Sequence, residues 1–215
     1  MTDLVFTVTD VAPEQFAAAP NLSARLRIDE TSGATVHAIA LRCQVKIEPH
    51  KRRYSDAEAA GLLDLFGPRE RWTTTLRSML WMHADTMVQG FTGSREVDLP
   101  MPCTYDFEVS ASKFLHALDE SATPIPLEFL FSGTVFTKGA SGFTVERVPW
   151  DRQASYDLPV GVWRTLMRMH FPNSGWVRLD HGTLSALAQY KSDRGLLTMD
   201  DAVEHLLTDV REVSK

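Results

Sequence analysis

The stretch LSARLRI, residues 22–28, followed by VHAIALRCQVKIE, residues 36–48, decides what kind of molecule this is. In the first, Leu22, Ala24, Leu26 and Ile28 fall on one side and Ser23, Arg25 and Arg27 on the other. Successive side chains of a strand point to opposite faces, so a period of two marks a half-buried β-strand. The second run repeats the pattern, with Ile39, Leu41, Cys43, Val45 and Ile47 opposed to Arg42, Gln44, Lys46 and Glu48. Separated by a turn at Ser32-Gly33, the two runs read as an antiparallel hairpin with one wet face.

The period changes further along the chain. Ser55-Asp56-Ala57-Glu58 has capping-box spacing, and Leu62, Leu63 and Phe66 follow at helical intervals before Gly67-Pro68 stops the helix. Another turn or two is expected between Pro68 and Leu80, with Trp72 and Leu76 on one face, although Thr73 to Thr75 weaken the propensity. Met79 to Phe136 reads as strands again: VDLPMPC, YDFEV, and PLEFLFSGTVF, in which Leu127, Phe129, Phe131, Gly133 and Val135 share a face. Pro100 and Pro102 cannot donate to a ladder, which sends their strand to an edge or a bulge. KGASG, residues 138–142, is the expected hairpin loop between TVF and FTVERV.

The last quarter is helical in pattern. Pro159 opens a run with Val162, Leu166 and Met169 at helical spacing; Thr183 is placed to cap a run with Leu184, Leu187 and Tyr190; Thr198 to Asp201 opens a last one with Val203, Leu206, Leu207 and Val210. The expected fold class is α+β: an antiparallel β-sandwich-like core over residues 1–155 with a helical insertion near 55–80, and a helical C-terminal layer over 156–215 packed on it, as one compact domain.

Composition narrows the functional classes. At 215 residues and 44% hydrophobic content, the chain can bury a core without staples. Its two cysteines, Cys43 and Cys103, offer neither a disulfide framework nor the four thiolates of an iron–sulfur cluster, and a reducing, cytoplasmic setting is expected. The N-terminus lacks the pattern of a signal peptide, and no apolar run reaches the roughly eighteen residues of a membrane span. A formal charge of −6 argues against binding nucleic acid. The basic run His50-Lys51-Arg52-Arg53 is read as a solvated strand-to-helix connection.

No motif fixes a reaction. HExxH, GxSxG, GxxxxGK[ST] and GxGxxG are absent. His37 and Cys43, placed on one strand face, would stand roughly 20 Å apart by strand rise, too far to share an ion. The cysteines are expected to serve as small buried hydrophobes. Asp106 and Glu108 in YDFEV fall on one strand face and read as polar surface. The stretch HFPNSGWVRLDH, residues 170–181, sets His170 and His181 around a turn with Asp180 able to orient one imidazole. A third ligand, His83 or His116, would be needed, so this stretch reads as a corner that packs Trp176, and no metal or cofactor is assigned. Of the five tryptophans, Trp150 in the proline-broken loop VERVPWDRQASYDLP and Trp176 are the candidates for presentation to a partner.

AIALRCQVKIEP, LLDLFG, RWTTTLR, MPCTYDFEV, KFLHAL, FLFSGTVF, VPWD, VWRTLMRMHFP and GWVRL, spread over nearly the whole chain, resemble one family of unknown function found mainly in actinobacteria. The resemblance implies a genomic setting beside the oxygen-tolerant uptake nickel–iron hydrogenase and its maturation genes; it implies no catalytic residue. The resulting expectation is a non-catalytic accessory protein acting through protein–protein contacts, an assembly or maturation factor whose partners are hydrogenase subunits or maturation proteins. The alternative is a small-molecule-binding protein or metal-dependent hydrolase with His170, Asp180 and His181 at its site.

Overall fold

The computed structural model describes residues 2–104, 106, 109–120, 123–139 and 142–213. Strands β1 (Leu4–Pro13), β2 (Asn21–Glu30) and β5 (Ser94–Pro102) form one antiparallel sheet with β2 in the middle. In the other sheet, β3 (Thr35–Ile47) lies between β4 (Met79–Thr92) and β6 (Ile125–Gly139). The far side of β6 is lined by two short strands in succession, β8 (Gln153–Leu158) and β7 (Gly142–Arg147). The apolar faces of both sheets enter one core, in which the rings of Phe6 on β1 and Phe131 on β6 stack with centroids 4.4 Å apart. The fold is thus the α+β sandwich that the alternating runs imply.

Those two opening runs are strands with the expected buried faces, but they do not pair with each other. Two strands that each carry one apolar face can bury those faces by lying in opposed sheets, and the chain between them crosses from one sheet to the other. The Glu30 carboxylate fixes that crossing: its Oε1 accepts the backbone N–H groups of Asp3 (3.0 Å) and Ser32 (3.2 Å), while Thr31 N–H donates to the Asp3 carbonyl. The turn is therefore tied to the start of β1.

A bulge near the start of β3 corrects a second expectation. The register slips between Val36 and Ala38, so Val36 and Ile39, three positions apart, are both buried while His37 is exposed. His37 and Cys43 consequently lie on opposite faces. Gly90 makes room for the bulge, since a Cβ there would come within 2.7 Å of the His37 carbonyl oxygen. As the two prolines require, β5 is an edge strand.

The insertion follows its punctuation. Helix α1 (Asp56–Gly61) opens on a full capping box: Ser55 Oγ accepts from Glu58 N–H at 3.2 Å and Ser55 N–H donates to Glu58 Oε2 at 2.9 Å. One turn, α2 (Leu63–Phe66), stops at Gly67 with φ of +70°, and another, α3 (Trp72–Thr75), follows. The stretch from Met79 to Phe136 is not all strand, because KFLHA lies in helix α4 (Ser110–Ala117), which buries Ala111, Phe114 and Leu115. Tyr54, Phe66 and Trp72 pack edge to face around this helix and one another. In YDFEV, Tyr105, Phe107 and Glu108 lie outside the described residues; Asp106 makes an isolated parallel bridge to Trp176. The TVF–FTVERV hairpin is present with Gly139 opposite Gly142, while Ala140 and Ser141 lie outside the described residues.

Nor is the basic run all solvated. The Arg52 side chain is fully buried: Nη2 donates to Glu58 Oε1 at 2.7 Å, Nε to the Thr123 carbonyl and Nη1 to the Arg53 carbonyl, and its guanidinium lies 5.0 Å from the Tyr54 ring centroid. Glu58 in turn accepts Asp119 N–H at 2.9 Å, so this pair stitches the insertion to the loop ahead of β6.

Helix α5 (Val160–His170) starts after Pro159 and packs on β1 and β2 through Val160, Trp163 and Leu166, leaving Met169 outside the buried stripe. Compact units run from Met1 to Trp176 and from Val177 to Lys215. The second unit is a helical hairpin of α6 (His181–Asp193) and α7 (Met199–Val213). Helix α6 takes Asp180 as its N-cap, ahead of Thr183, since Leu184 N–H already bonds the Asp180 carbonyl. Helix α7 opens as expected, with Thr198 Oγ1 accepting Asp201 N–H at 3.0 Å and Asp201 Oδ2 accepting Thr198 N–H at 2.8 Å. No described helix is long and apolar enough to cross a membrane.

Candidate functional site

Trp150 sits where β8 gives way to β7. Bonds from Val148 N–H to the Gly133 carbonyl, Phe131 N–H to the Arg152 carbonyl and Arg152 N–H to the Pro149 carbonyl clamp a tight excursion, and its tip leaves Trp150 93% exposed. Trp176 is 54% exposed and meets Phe171 edge to face. The other tryptophans are structural: Trp163 is fully buried, and Trp72 and Trp81 pack against the core. The two residues singled out from the sequence are therefore the two exposed indoles.

The corner residues fall in different units. His170 closes α5 in the first unit, with Nε2 shielded and without a hydrogen-bond partner among the described residues. Asp180 and His181 belong to the second unit, where Asp180 is the N-cap of α6 without a side-chain cap bond and His181 is exposed. Among the described residues, no three His, Cys, Asp or Glu side chains gather closely enough to hold a metal ion. His116, the suggested third ligand, stands edge-on to Trp163 at 4.6 Å; burial, with the nearby Arg164 charge, pulls its pKa down to about 4. Burial pushes both cysteine thiols up to about 12, which makes them inert packing groups.

Two surface features remain. One is a trough of about 430 Å³ on the outer face of the larger sheet, lined by Arg42 and Gln44 of β3, His83 and Asp85 of β4, and Ser132 of β6. A hollow of about 240 Å³ continues it past Ala40 and Met87 and shares Arg42 and Asp85. The depression exists because Ala40, Ser132 and Thr134, neighbours in register, are too small to fill the face. Sequence reading placed Arg42 and Gln44 on a wet face; only the register brings His83, Asp85 and Ser132 beside them.

The other is an apolar groove of about 450 Å³ within the second unit, lined by Leu179, Thr183, Leu187, Tyr190, Val203 and Leu206. Its walls are held by Tyr190, whose hydroxyl lies 2.9 Å from His205 Nδ1 and donates to Asp209 Oδ2 at 3.2 Å. On α7, Val203, Leu206, Leu207 and Val210 recur at i, i+3, i+4 and i+7, and Leu207 and Val210 are 53% and 63% exposed.

Fold and surfaces together define an α+β protein with a two-sheet antiparallel core and an appended helical hairpin. The chain belongs to DUF6084, a family of unknown function, whose model matches residues 1–215. No curated protein matches it. Among solved structures it is similar to β-glucosidase 3B from Thermotoga neapolitana in complex with α-D-glucose, at 12% identity and TM-score 0.24, over 73% of this chain and 17% of that one. A second match, an ApaA candidate from Bordetella pertussis, gives 14% identity and TM-score 0.28 over 74% of this chain and 95% of the other. A β-glucosidase from Kluyveromyces marxianus gives 11% and 0.26 over 73% and 15%. The chain thus spans under a fifth of the first of these, and likenesses at these scores carry no argument about activity.

Proposed function

We propose that this chain is a non-catalytic accessory protein that acts through protein–protein contacts, with the groove between α6 and α7 as its principal contact surface. The observation that carries the reading is the exposed apolar lining of that groove, since contiguous exposed apolar surface marks interaction sites and an amphipathic helix is the partner shape that fills such grooves. Exposed Trp150 and Trp176 supply further anchors of the residue type that dominates binding energy. The family resemblance supports nickel–iron hydrogenase subunits or their maturation proteins as the partners, with a role in assembly or maturation. Two free cysteines, both buried and unreactive, suit a reducing cytoplasm.

The test is recovery of the tagged protein from its host under hydrogen-oxidising conditions, after cross-linking, beside a Leu206→Asp variant. The reading expects a hydrogenase or maturation subunit cross-linked to residues of α6 or α7 in the wild type and missing from the variant. Cross-links that survive the substitution, or recovery of the protein alone, would overturn it. A second reading, small-molecule binding, is favoured by the polar trough and not by His170 and His181.

A further inference from the structure

We propose that the trough over β3, β4 and β6 is a binding site for a small zwitterion, an α-amino acid carrying its carboxylate and ammonium on neighbouring atoms. The argument begins with charged pairs that face one another in register. Arg25 lies opposite Asp98 and closes to 3.7 Å; Lys46 lies opposite Glu128 and closes to 3.9 Å. Arg27, opposite Glu96, turns to Asp29 at 3.0 Å. Arg42 and Asp85 also stand directly opposite, yet among the described residues neither side chain makes a hydrogen bond or ion pair. What distinguishes this pair is the trough, about 430 Å³, that both residues line.

The remaining lining has the same character. Gln44 and His83 form the next register pair, Ser132 lies opposite Arg42 on the other side, and none of these side chains is engaged by another among the described residues. The site therefore offers a guanidinium that can grip a carboxylate, a carboxylate that can accept from an ammonium one strand away, and an amide, an imidazole and a hydroxyl around them. Cross-strand neighbours have Cβ atoms about 5 Å apart, a separation that suits the adjacent charges of an α-amino acid. The volume lies at the small end of ligand pockets, and the hollow beyond Ala40 and Met87 gives an amino-acid side chain somewhere to go. Purely anionic ligands would meet Asp85 unpaired, and purely cationic ones would meet Arg42.

The site lies wholly in the first unit and does not rest on the α6–α7 reading. Its test is a titration of the intact protein with the common free L-amino acids to about 10 mM, following the His83 ring resonances by NMR and measuring affinity by calorimetry. At least one amino acid is expected to shift His83 and bind with a dissociation constant of about 1 mM or tighter, its N-acetyl and C-amide derivatives each binding at least about tenfold more weakly. Arg42→Gln and Asp85→Asn are expected to weaken it by a similar factor with unchanged melting curves, and Leu206→Asp to leave it intact. No shift of His83, blocked derivatives that bind as well as the parent, or variants that bind like the wild type would each overturn the proposal.

Discussion

Gly133 occupies a position no other residue can fill. Its φ is +148°, and a Cβ added there would overlap the Ala40 carbonyl oxygen on the adjacent strand. Gly133→Ala is therefore expected to destabilise by about 3 kcal/mol or more, read as a large loss of urea midpoint with little change in m-value. His116 makes a prediction of the opposite kind, about pH. Its folded pKa, about 4, lies below the unfolded value near 6.5, so the folded state binds fewer protons across that interval. Stability is accordingly expected to fall as pH drops from 6.5 to 4, by about 2–3 kcal/mol, and His116→Phe should flatten that part of the profile in denaturant melts at stepped pH. An identical profile in the variant would refute the assignment. Neither effect was legible in the sequence: Gly133 looks there like any glycine on an apolar strand face, and His116 like a lone histidine in KFLHAL.

At the scale of elements, what can be read from sequence is what local chemistry determines. The strand faces, the capping box at Ser55 and the stop at Gly67 depend on nearest neighbours, and all are present. Pairing between strands depends on loop closures that spacing does not encode, which is why β2 and β3, adjacent in sequence, lie in opposed sheets. The Arg52–Glu58 pair was hidden for the same reason, its partners Thr123 and Asp119 being more than sixty residues away. Burial alone would raise the Glu58 carboxyl, but the Arg52 hydrogen bond, the N–H groups of Asp119 and Ser55, and the Arg52 charge outweigh it and hold its pKa below the usual carboxylate value. The pair thus contributes stability above about pH 4.5 that is lost as pH falls below it. Glu58→Ala, which strands a buried guanidinium, is expected to cost about 3–5 kcal/mol by urea denaturation at neutral pH, whereas Arg52→Met with Glu58→Leu should cost far less. Equal losses in the single and double variants would count against this account.

For the whole molecule, every member of the continuous apolar core lies between Leu4 and Leu166. A chain ending at Trp176 is expected to melt cooperatively with a β-rich circular dichroism spectrum; a broad, non-cooperative transition would contradict this. The peptide from Val177 to Lys215 falls near the size below which domains seldom fold without help, and should be largely unfolded by the same measurement. The candidate surfaces differ in legibility: Trp150 and Trp176 could be chosen from composition and loop chemistry, while the trough needed the register of three strands.

The interruption between β8 and β7 bears on a hazard that all sandwich proteins share. A long, regular outer strand would offer incoming chains a template for cross-β growth, and each half of this border has only six residues, with Pro149 near the break. An aggregation nucleus would have to register across a gap where the ladder stops and an indole juts outward. The conspicuous position of Trp150 thus marks a break in one border of that sheet, whereas β4 on the opposite border runs over 14 residues.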